Sequence, residues 1–233
     1  YQMWAFEQGD QALKSADEIP FMALPFGNHT FGKMDIEVGT VKVKSDTLEV
    51  KFTKPLPTGV TPVVLAELEP TLKTSPYFVK VWDVTNEGFK TSIFYEGSAA
   101  VRLSQTLNYA AITPGSEVID KEKGILLSAG VNDTPLYGVS ARTVYYTNNV
   151  YAADGSVERV DTLLLEDPLT FATLQTYNYS AGTLLRSFSS ITEKVDDVSY
   201  IVGTRVRRMV DGTAENAPAN SKLLTNPASY YTR

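Results

Sequence analysis

Two neighbouring runs alternate apolar with polar residues, and this alternation constrains the fold more than any other feature of the chain. Val41 and Val43 belong to the first run, Leu48, Val50 and Phe52 belong to the second, and the turn-forming letters KSD separate the two. A repeat of two places every second side chain on the same face of a β-strand. Turn residues recur elsewhere at intervals of roughly 8 to 12 residues, which is typical of short antiparallel strands. The sequence therefore predicts an all-β fold, an antiparallel β-sandwich.

A similar pattern returns in the second half, which predicts two tandem sandwich domains. The letters YGVSARTVYY resemble IEVGTVKV, and a Pro-Leu pair stands before an apolar strand at Pro55 and again at Pro168. An Asp-Thr-Leu run also occurs twice, beginning at Asp46 and at Asp161. Recurrence of several features in the same order indicates an internal repeat. The alternative is one larger sandwich whose strands merely look alike.

The predicted segments are an N-terminal segment packing on the first domain (1–35), a first sandwich (36–115), a connector (116–136), a second sandwich (137–212) and an irregular tail (213–233). The best helix candidate is the stretch from Gly9, which is short and stops at Pro20.

Composition excludes several classes of function. The chain has 233 residues and no Cys, so disulfide scaffolds, thiolate catalysis and Cys-based zinc sites are excluded. A net charge of −6 gives no positive field for nucleic acid. No apolar run reaches the ~18 residues of a transmembrane span. Because the first residue is Tyr1 rather than Met, we expect a leader to have been removed, and an exported bacterial protein of the cell surface, periplasm or medium.

Three stretches together resemble the H-type lectin family. They read VKFTKPLPTGVTPVVLAELEP, YFVKVWDVTNEGFKTSIFYE and LNYAAITPG, within Thr40 to about Gly115. The resemblance implies a six-stranded antiparallel sandwich, usually oligomeric, that binds sugars such as N-acetylgalactosamine in clefts between subunits. The corner VTNEGF is explained by the residues alone: Val84 and Phe89 bury, and Gly88 supplies an unusual backbone angle.

The resemblance fails at the residues that hold sugar in that family. A Trp-His pair is often placed after the strand that follows the corner, whereas this chain reads Tyr95, Glu96 and Gly97 near those positions. An arginine at the start of the Val-x-Val strand is also missing, and Pro76 stands near its place. The resemblance therefore implies the family's fold for this chain but not the family's sugar ligand.

Three residues are nevertheless candidates for a carbohydrate site. Trp82 falls on the opposite face of its strand from Val81, where an exposed indole would stack on a sugar ring, join a subunit interface or pack under another segment. Tyr95 and Glu96 would form the rim of a cleft, with an aromatic ring for stacking and a carboxylate for sugar hydroxyls.

Catalytic and cofactor chemistry finds little support. His29 is the only histidine, and no Gly-x-Ser-x-Gly elbow accompanies it. No nucleotide-binding glycine motif or multi-histidine metal site occurs, so no cofactor and no metal are expected. Calcium binding through oxygen ligands stays open at two small clusters, Val195 to Asp197 and Ala152 to Ser156. Glycoside hydrolysis by paired carboxylates stays open, since separation in space decides it. The two Asp-Thr-Leu runs resemble an O-glycosylation acceptor of some Gram-negative bacteria, which would place glycans on Thr47 and Thr162.

Two hypotheses follow from the sequence. The first is a non-catalytic exported protein that binds a carbohydrate or surface glycan through its first sandwich, either as a monomer or as a homo-oligomer. The second is a structural or assembly module of a bacterial envelope or phage tail, in which the sandwich faces form subunit interfaces. The first predicts an open cleft at Trp82 and Tyr95, and the second predicts that these residues are covered.

Overall fold

The computed structural model describes residues 23–69, 77–95, 104–132, 142–151, 157–166, 168, 170–175, 184–209 and 228–232. Within these ranges it contains sixteen strands and no helix. The strands are β1 (Gly27–Phe31), β2 (Met34–Val43), β3 (Leu48–Lys51), β4 (Val63–Leu68), β5 (Tyr77–Thr85), β6 (Gly88–Tyr95), β7 (Gln105–Ile112), β8 (Gly115–Asp120), β9 (Ile125–Asn132), β10 (Arg142–Tyr145), β11 (Thr147–Tyr151), β12 (Val157–Thr162), β13 (Thr170–Leu174), β14 (Leu184–Val195), β15 (Val198–Met209) and β16 (Ala228–Thr232). Every pairing between them is antiparallel, so the predicted fold class is confirmed.

The first sandwich consists of two sheets packed face to face. Sheet A has the order β1-β2-β7-β4, and sheet B has the order β3-β6-β5. Alternate residues of each sheet meet in one core, in which Tyr109 and Val64 of sheet A pack with Val50, Val81 and Phe89 of sheet B. Burying a side chain of this size contributes roughly 1.5–3 kcal/mol. The alternation seen in the sequence is thus the alternation between this core and the other side of each sheet.

Sheet A is covered on its second face as well. Sheet C, with the order β13-β16-β9-β8, packs its Leu127 and Ala129 against Met34, Ile36 and Ile112. The neighbouring residues Ala110 and Ala111 of β7 are 7% and 0% exposed although their side chains point to opposite faces. The three sheets B, A and C therefore form successive layers, and the middle sheet is covered on both faces at Ala110 and Ala111, while Asn108 earlier in β7 is exposed.

The strand order of the second half repeats that of the first. Strands β8, β9, β16 and β13 stand in sheet C in the order in which β1, β2, β7 and β4 stand in sheet A. Sheet D, with the order β10-β15-β14, likewise repeats sheet B. The registers agree too, since Gly39 of β2 pairs with Tyr109 and Gly130 of β9 pairs with Tyr230. One element has no counterpart in the first half: the two-stranded sheet of β11 and β12.

Segment boundaries differ from those the sequence predicts. The predicted connector (116–136) includes most of β8 and all of β9, and the predicted irregular tail (213–233) includes β16, which lies between β13 and β9. Strand β1 belongs to the predicted N-terminal segment and joins sheet A, and Leu24 and Phe31 pack on the core between sheets A and C. The helix candidate 9–20 lies outside the described residues.

The reason for these differences is the composition of the strands concerned. Strand β9 reads ILLSAGVN and β16 reads ASYYT, so each is short or built partly from small and polar residues. A strand of this kind is fixed by its neighbours in a sheet more than by its own hydrophobic pattern. Its position is therefore hard to read without the fold.

Candidate functional site

Trp82 is buried within the chain, so among the three alternatives given for it the structure agrees with packing under other residues and not with an exposed platform. Its exposed fraction is 8%, and Lys80, on the same face of β5, is 5% exposed. Alternation did predict that Trp82 and Val81 point to opposite faces, and Val81 lies in the core between sheets A and B. The outer face of sheet B is nevertheless covered around Lys80 and Trp82. This burial lowers the pKa of Lys80. Trp82 presents almost no surface on which a sugar ring could stack.

The described backbone does not bring Tyr95 and Trp82 together. In the ladder between β5 and β6, Trp82 pairs with Lys90 while Tyr95 pairs with Tyr77. Five residues of strand correspond to about 16 Å. The register also assigns positions 82 and 95 to opposite faces of sheet B. Glu96 lies outside the described residues.

The corner between β5 and β6 anchors a loop of the scaffold. Asn86 O accepts a hydrogen bond from Leu56 N at 2.8 Å, and Asn86 Nδ2 donates to Leu56 O at 3.2 Å. Thr85 Oγ1 accepts a hydrogen bond from Glu87 N at 3.2 Å, which holds the turn. Phe89 is 2% exposed, as expected, and Val84 packs against the same core. The corner is structural.

Gly88 is needed at this corner for a reason other than its backbone angle. Its φ is not in the left-handed region, whereas Asp83, in the irregular part of β5, has a φ of 49°. A Cβ at Gly88 would overlap the carbonyl oxygen of Val50 in the neighbouring strand β3. Glycine is therefore required at position 88 because β3 and β6 approach each other closely. The residue of this corner that has a positive φ is Asp83.

A buried carboxylate on β2 is the centre of a hydrogen-bond network in the first sandwich, and sequence reasoning missed it. Glu37 is 1% exposed. Its oxygens accept hydrogen bonds from Thr53 N (2.9 Å), Thr53 Oγ1 (2.9 Å) and Tyr109 Oη (2.9 Å). Asn28 Nδ2 extends the network by donating to Thr53 Oγ1 at 2.8 Å. The only signal in the sequence is an acidic residue inside a strongly apolar strand.

This network ties strands together and has no room for a substrate. Desolvation, followed by the hydrogen bond to Glu37, raises the pKa of Tyr109 well above its usual range, so its hydroxyl stays a donor. The Tyr109 ring packs edge-on against Phe89 with centroids 5.2 Å apart. Both oxygens of Glu37 accept hydrogen bonds from the protein, and the side chain is shielded from water. Glu37 is therefore a structural link between β2, β7 and the loop after β3.

A small cleft beside the hydrogen-bond network of Glu37 contains His29, the only histidine of the chain. His29, Asp35 and Lys54 line it, and its volume is about 30 Å³. Two water molecules fill such a space, whereas ligand sites typically measure 300–1,000 Å³. His29 Nε2 donates a hydrogen bond to Pro25 O at 2.8 Å. Thr30 Oγ1 donates to Asp35 Oδ1 at 2.7 Å. The cleft is too small for a sugar ring.

Other chemical candidates are limited in the part of the chain that the structure describes. That part contains no group of three or more His, Asp or Glu side chains arranged to hold a metal ion. The two O-glycosylation candidates, Thr47 before β3 and Thr162 at the end of β12, are both exposed. No helix among the described residues is long and apolar enough to cross a membrane.

Comparison with known proteins adds no relative. No protein-family model matches the chain, and searches of curated proteins and of solved structures found no significant match either.

Proposed function

We propose that this chain is a non-catalytic assembly module of a bacterial envelope or phage-tail structure, made of two copies of one antiparallel sandwich. The observation that carries the proposal is the layering of sheets B, A and C, in which a sheet face serves as a packing surface for the next sheet. The residues expected to form an open sugar cleft are either covered, as Trp82 is, or separated from it along the strand. The burial of Trp82 within its own chain counts against the open cleft of the glycan hypothesis and leaves the subunit contacts of the assembly hypothesis to other surfaces.

Duplication of the sandwich supports a role in extended structures. Sheets C and D repeat the strand order of sheets A and B, and the two copies pack through the faces of sheets A and C. Face-to-face packing of repeated units is the way in which modular proteins build length.

Exposed apolar side chains are concentrated in the second copy. Among described residues, six of the seven large exposed hydrophobic side chains lie between positions 118 and 198. They are Val118, Ile119, Tyr145, Val160, Leu164 and Val198, and the seventh is Phe26. A contiguous patch of exposed apolar side chains marks a surface that meets other proteins, whereas single exposed ones are normal. The second copy is thus the favoured side for subunit contacts.

A glycan-binding role of the first sandwich is the second candidate. Six consecutive strands, β2 to β7, form the sheets β2-β7-β4 and β3-β6-β5, which agrees with the six-stranded sandwich that the H-type lectin resemblance implies. Agreement in fold alone supports this function weakly, since one fold hosts many functions. Both candidates act outside the bacterial cytoplasm.

The test presents the full chain, with Trp82→Ala and Tyr95→Ala variants, to a broad glycan array. The assembly proposal expects no glycan class to bind reproducibly above background. Binding to one class that is lost in a variant with an unchanged melting temperature would overturn it in favour of the lectin candidate. Light scattering over a concentration series accompanies the array and reports whether the chain associates with itself.

A further inference from the structure

The hairpin of β11 and β12 is an addition to the repeated sandwich. In the first copy, Phe52 N donates to Glu87 O at 2.8 Å, and the chain then runs directly to Leu56. In the second copy, Tyr146 N donates in the same way to Val202 O at 2.9 Å. There the chain leaves to form the hairpin and returns at Leu163, whose N–H donates to Tyr146 O at 2.8 Å. The hairpin therefore grows from a point where the first copy has a short loop.

This hairpin has open strand edges within the described structure. Strands β11 and β12 pair with each other and with no other described strand. On β12, Glu158, Arg159, Val160 and Thr162 are exposed, and the exposed fraction of Val160 is 57%. An isolated two-stranded hairpin is marginally stable in water, and an open edge is a template for another strand. An added element of this kind is suited to contact with another chain.

We propose that β12 pairs with β12 of a second copy of this chain, antiparallel and centred on Val160. This register places Val160 against its own counterpart and Arg159 of each copy opposite Asp161 of the other. Within one chain, Arg159 Nε already donates to Asp161 Oδ1 at 2.9 Å, so the two side chains lie on the same face of β12. The paired strands would then carry four alternating charges on that face. The inference rests on the proposed assembly function and names its partner.

Charge complementarity selects this register among the neighbouring ones. Centring on Arg159 or on Asp161 would oppose two like charges, because the central residue then faces its own counterpart. Centring on Val160 opposes Glu158 to the neutral Thr162 and leaves no like pair. Opposite charges directly across an antiparallel pair stabilise it and like charges destabilise it. The edge of β11, Thr147–Tyr151, has no charged residue with which to specify a partner.

The test uses two charge reversals, Arg159→Asp and Asp161→Arg, in the full chain. Each variant alone opposes like charges at the β12 pairing and is expected to dimerise about tenfold more weakly than the wild type by sedimentation equilibrium at low salt. An equal mixture of the two variants restores both opposite pairs, so the mixture is expected to form one-to-one heterodimers with nearly wild-type affinity. The double variant Arg159→Asp/Asp161→Arg is expected to dimerise like the wild type. Melting temperatures check that each variant folds.

Three results would overturn the β12 pairing. They are a wild type that stays monomeric at every concentration, self-association that the reversals do not change, and variants that fail to associate on mixing. Each of them leaves the glycan-array result unaffected. Failure of the β12 contact is therefore distinguishable from failure of the assembly proposal, which a specific glycan would overturn.

Discussion

Gly88 and Gly203 occupy the same position in the two three-stranded sheets. Gly88 pairs with Lys51, the last residue of β3, and Gly203 pairs with Tyr145, the last residue of β10. A Cβ at Gly88 would meet the carbonyl oxygen of Val50, and a Cβ at Gly203 would lie 2.5 Å from that of Val144. Both three-stranded sheets thus use a glycine to bring a four-residue edge strand close to its neighbour.

Alanine at either glycine is expected to destabilise the protein. Gly88→Ala and Gly203→Ala would each force the edge strand away from its neighbour, at a cost of about 2–4 kcal/mol in the free energy of unfolding measured with urea. The control is Gly124→Ala, where the φ of 64° strains alanine but no atom lies within 4 Å. That change is expected to cost only about 1 kcal/mol. Equal losses at all three positions would contradict the close-approach explanation.

Tyr109→Phe is expected to lower stability in a pH-dependent way. Removal of a donor to the buried Glu37 carboxylate costs about 1.5–3 kcal/mol at neutral pH. The pKa of Tyr109 is raised in the folded protein, so its contribution is complete below the unfolded value of about 10 and is lost as the pH rises towards the folded value. The difference in unfolding free energy between wild type and variant should therefore be constant from about pH 7 to 9 and shrink above about pH 10.

The matched control for this change is Tyr145→Phe, at a side chain that is 54% exposed. It removes the same hydroxyl from an exposed site, and we expect a small difference, within about 0.5 kcal/mol. A Tyr109→Phe difference that stays constant up to pH 11 would contradict the role of the neutral hydroxyl.

Gln175→Leu is expected to loosen the contact between the two halves. Gln175 is buried, its Oε1 accepts from Val64 N at 2.6 Å, and its Nε2 donates to Pro62 O at 3.1 Å. The side-chain amide thereby makes the two backbone hydrogen bonds that a neighbouring strand would make at the free edge of β4. Leaving two buried backbone groups unpaired costs about 2–5 kcal/mol, measured as a shift of the urea midpoint.

The control for Gln175 is Glu117→Gln, which affects another hydrogen bond between the halves. Glu117 Oε1 accepts from Lys33 N at 2.8 Å at an exposed site, and glutamine keeps an oxygen acceptor there. A loss below about 0.5 kcal/mol is expected. If Gln175→Leu were equally mild, the edge of β4 would not depend on this side chain.

The turn between β14 and β15 can be improved by substitution. Asp196 and Asp197 have φ values of 47° and 65°, the geometry of a type I′ turn, for which Asn-Gly is preferred. Asp196→Asn combined with Asp197→Gly is expected to stabilise the protein by about 0.5–1 kcal/mol, although it removes the exposed ion pair from Lys194 to Asp197. The melting temperature provides the measurement.

Glu87→Gly in the turn between β5 and β6 serves as the comparison. Glu87 does not have a positive φ. Glycine there adds freedom to the unfolded chain without relieving strain, so the melting temperature should fall. A rise in both variants would mean that turn geometry is not the cause.

The sequence predicted the elements whose own residues determine them. The alternation through Val41 and Phe52, and the burial of Phe89 at the corner, are found in the structure. Alternation specifies which side chains share a face but not what lies over that face, so it left open whether Trp82 stacks on a sugar, joins an interface or packs under another segment. Glu37 was missed because its donors come from distant positions, up to 72 residues away at Tyr109.

The apparent repeats in the sequence also differ from those in the topology. YGVSARTVYY, which resembles the sequence of β2, contains β10, whose counterpart in sheet order is β3. The run beginning at Asp46 leads into β3, whereas the run beginning at Asp161 ends the added hairpin. The two Asp-Thr-Leu runs are therefore not equivalent. Strand order and register are preserved between the halves where short sequence similarities are not.

The covering of sheet A by sheet C has a consequence for synthesis of the protein. Translation delivers the first sandwich before β9 and β13, so the face formed by Met34, Ile36 and Ile112 leaves the ribosome without its cover. Sheet C in turn stays incomplete until β16, the last described strand, arrives between β9 and β13. For that interval the nascent chain exposes a hydrophobic sheet face, and shielding by a chaperone during this time would keep it from aggregating.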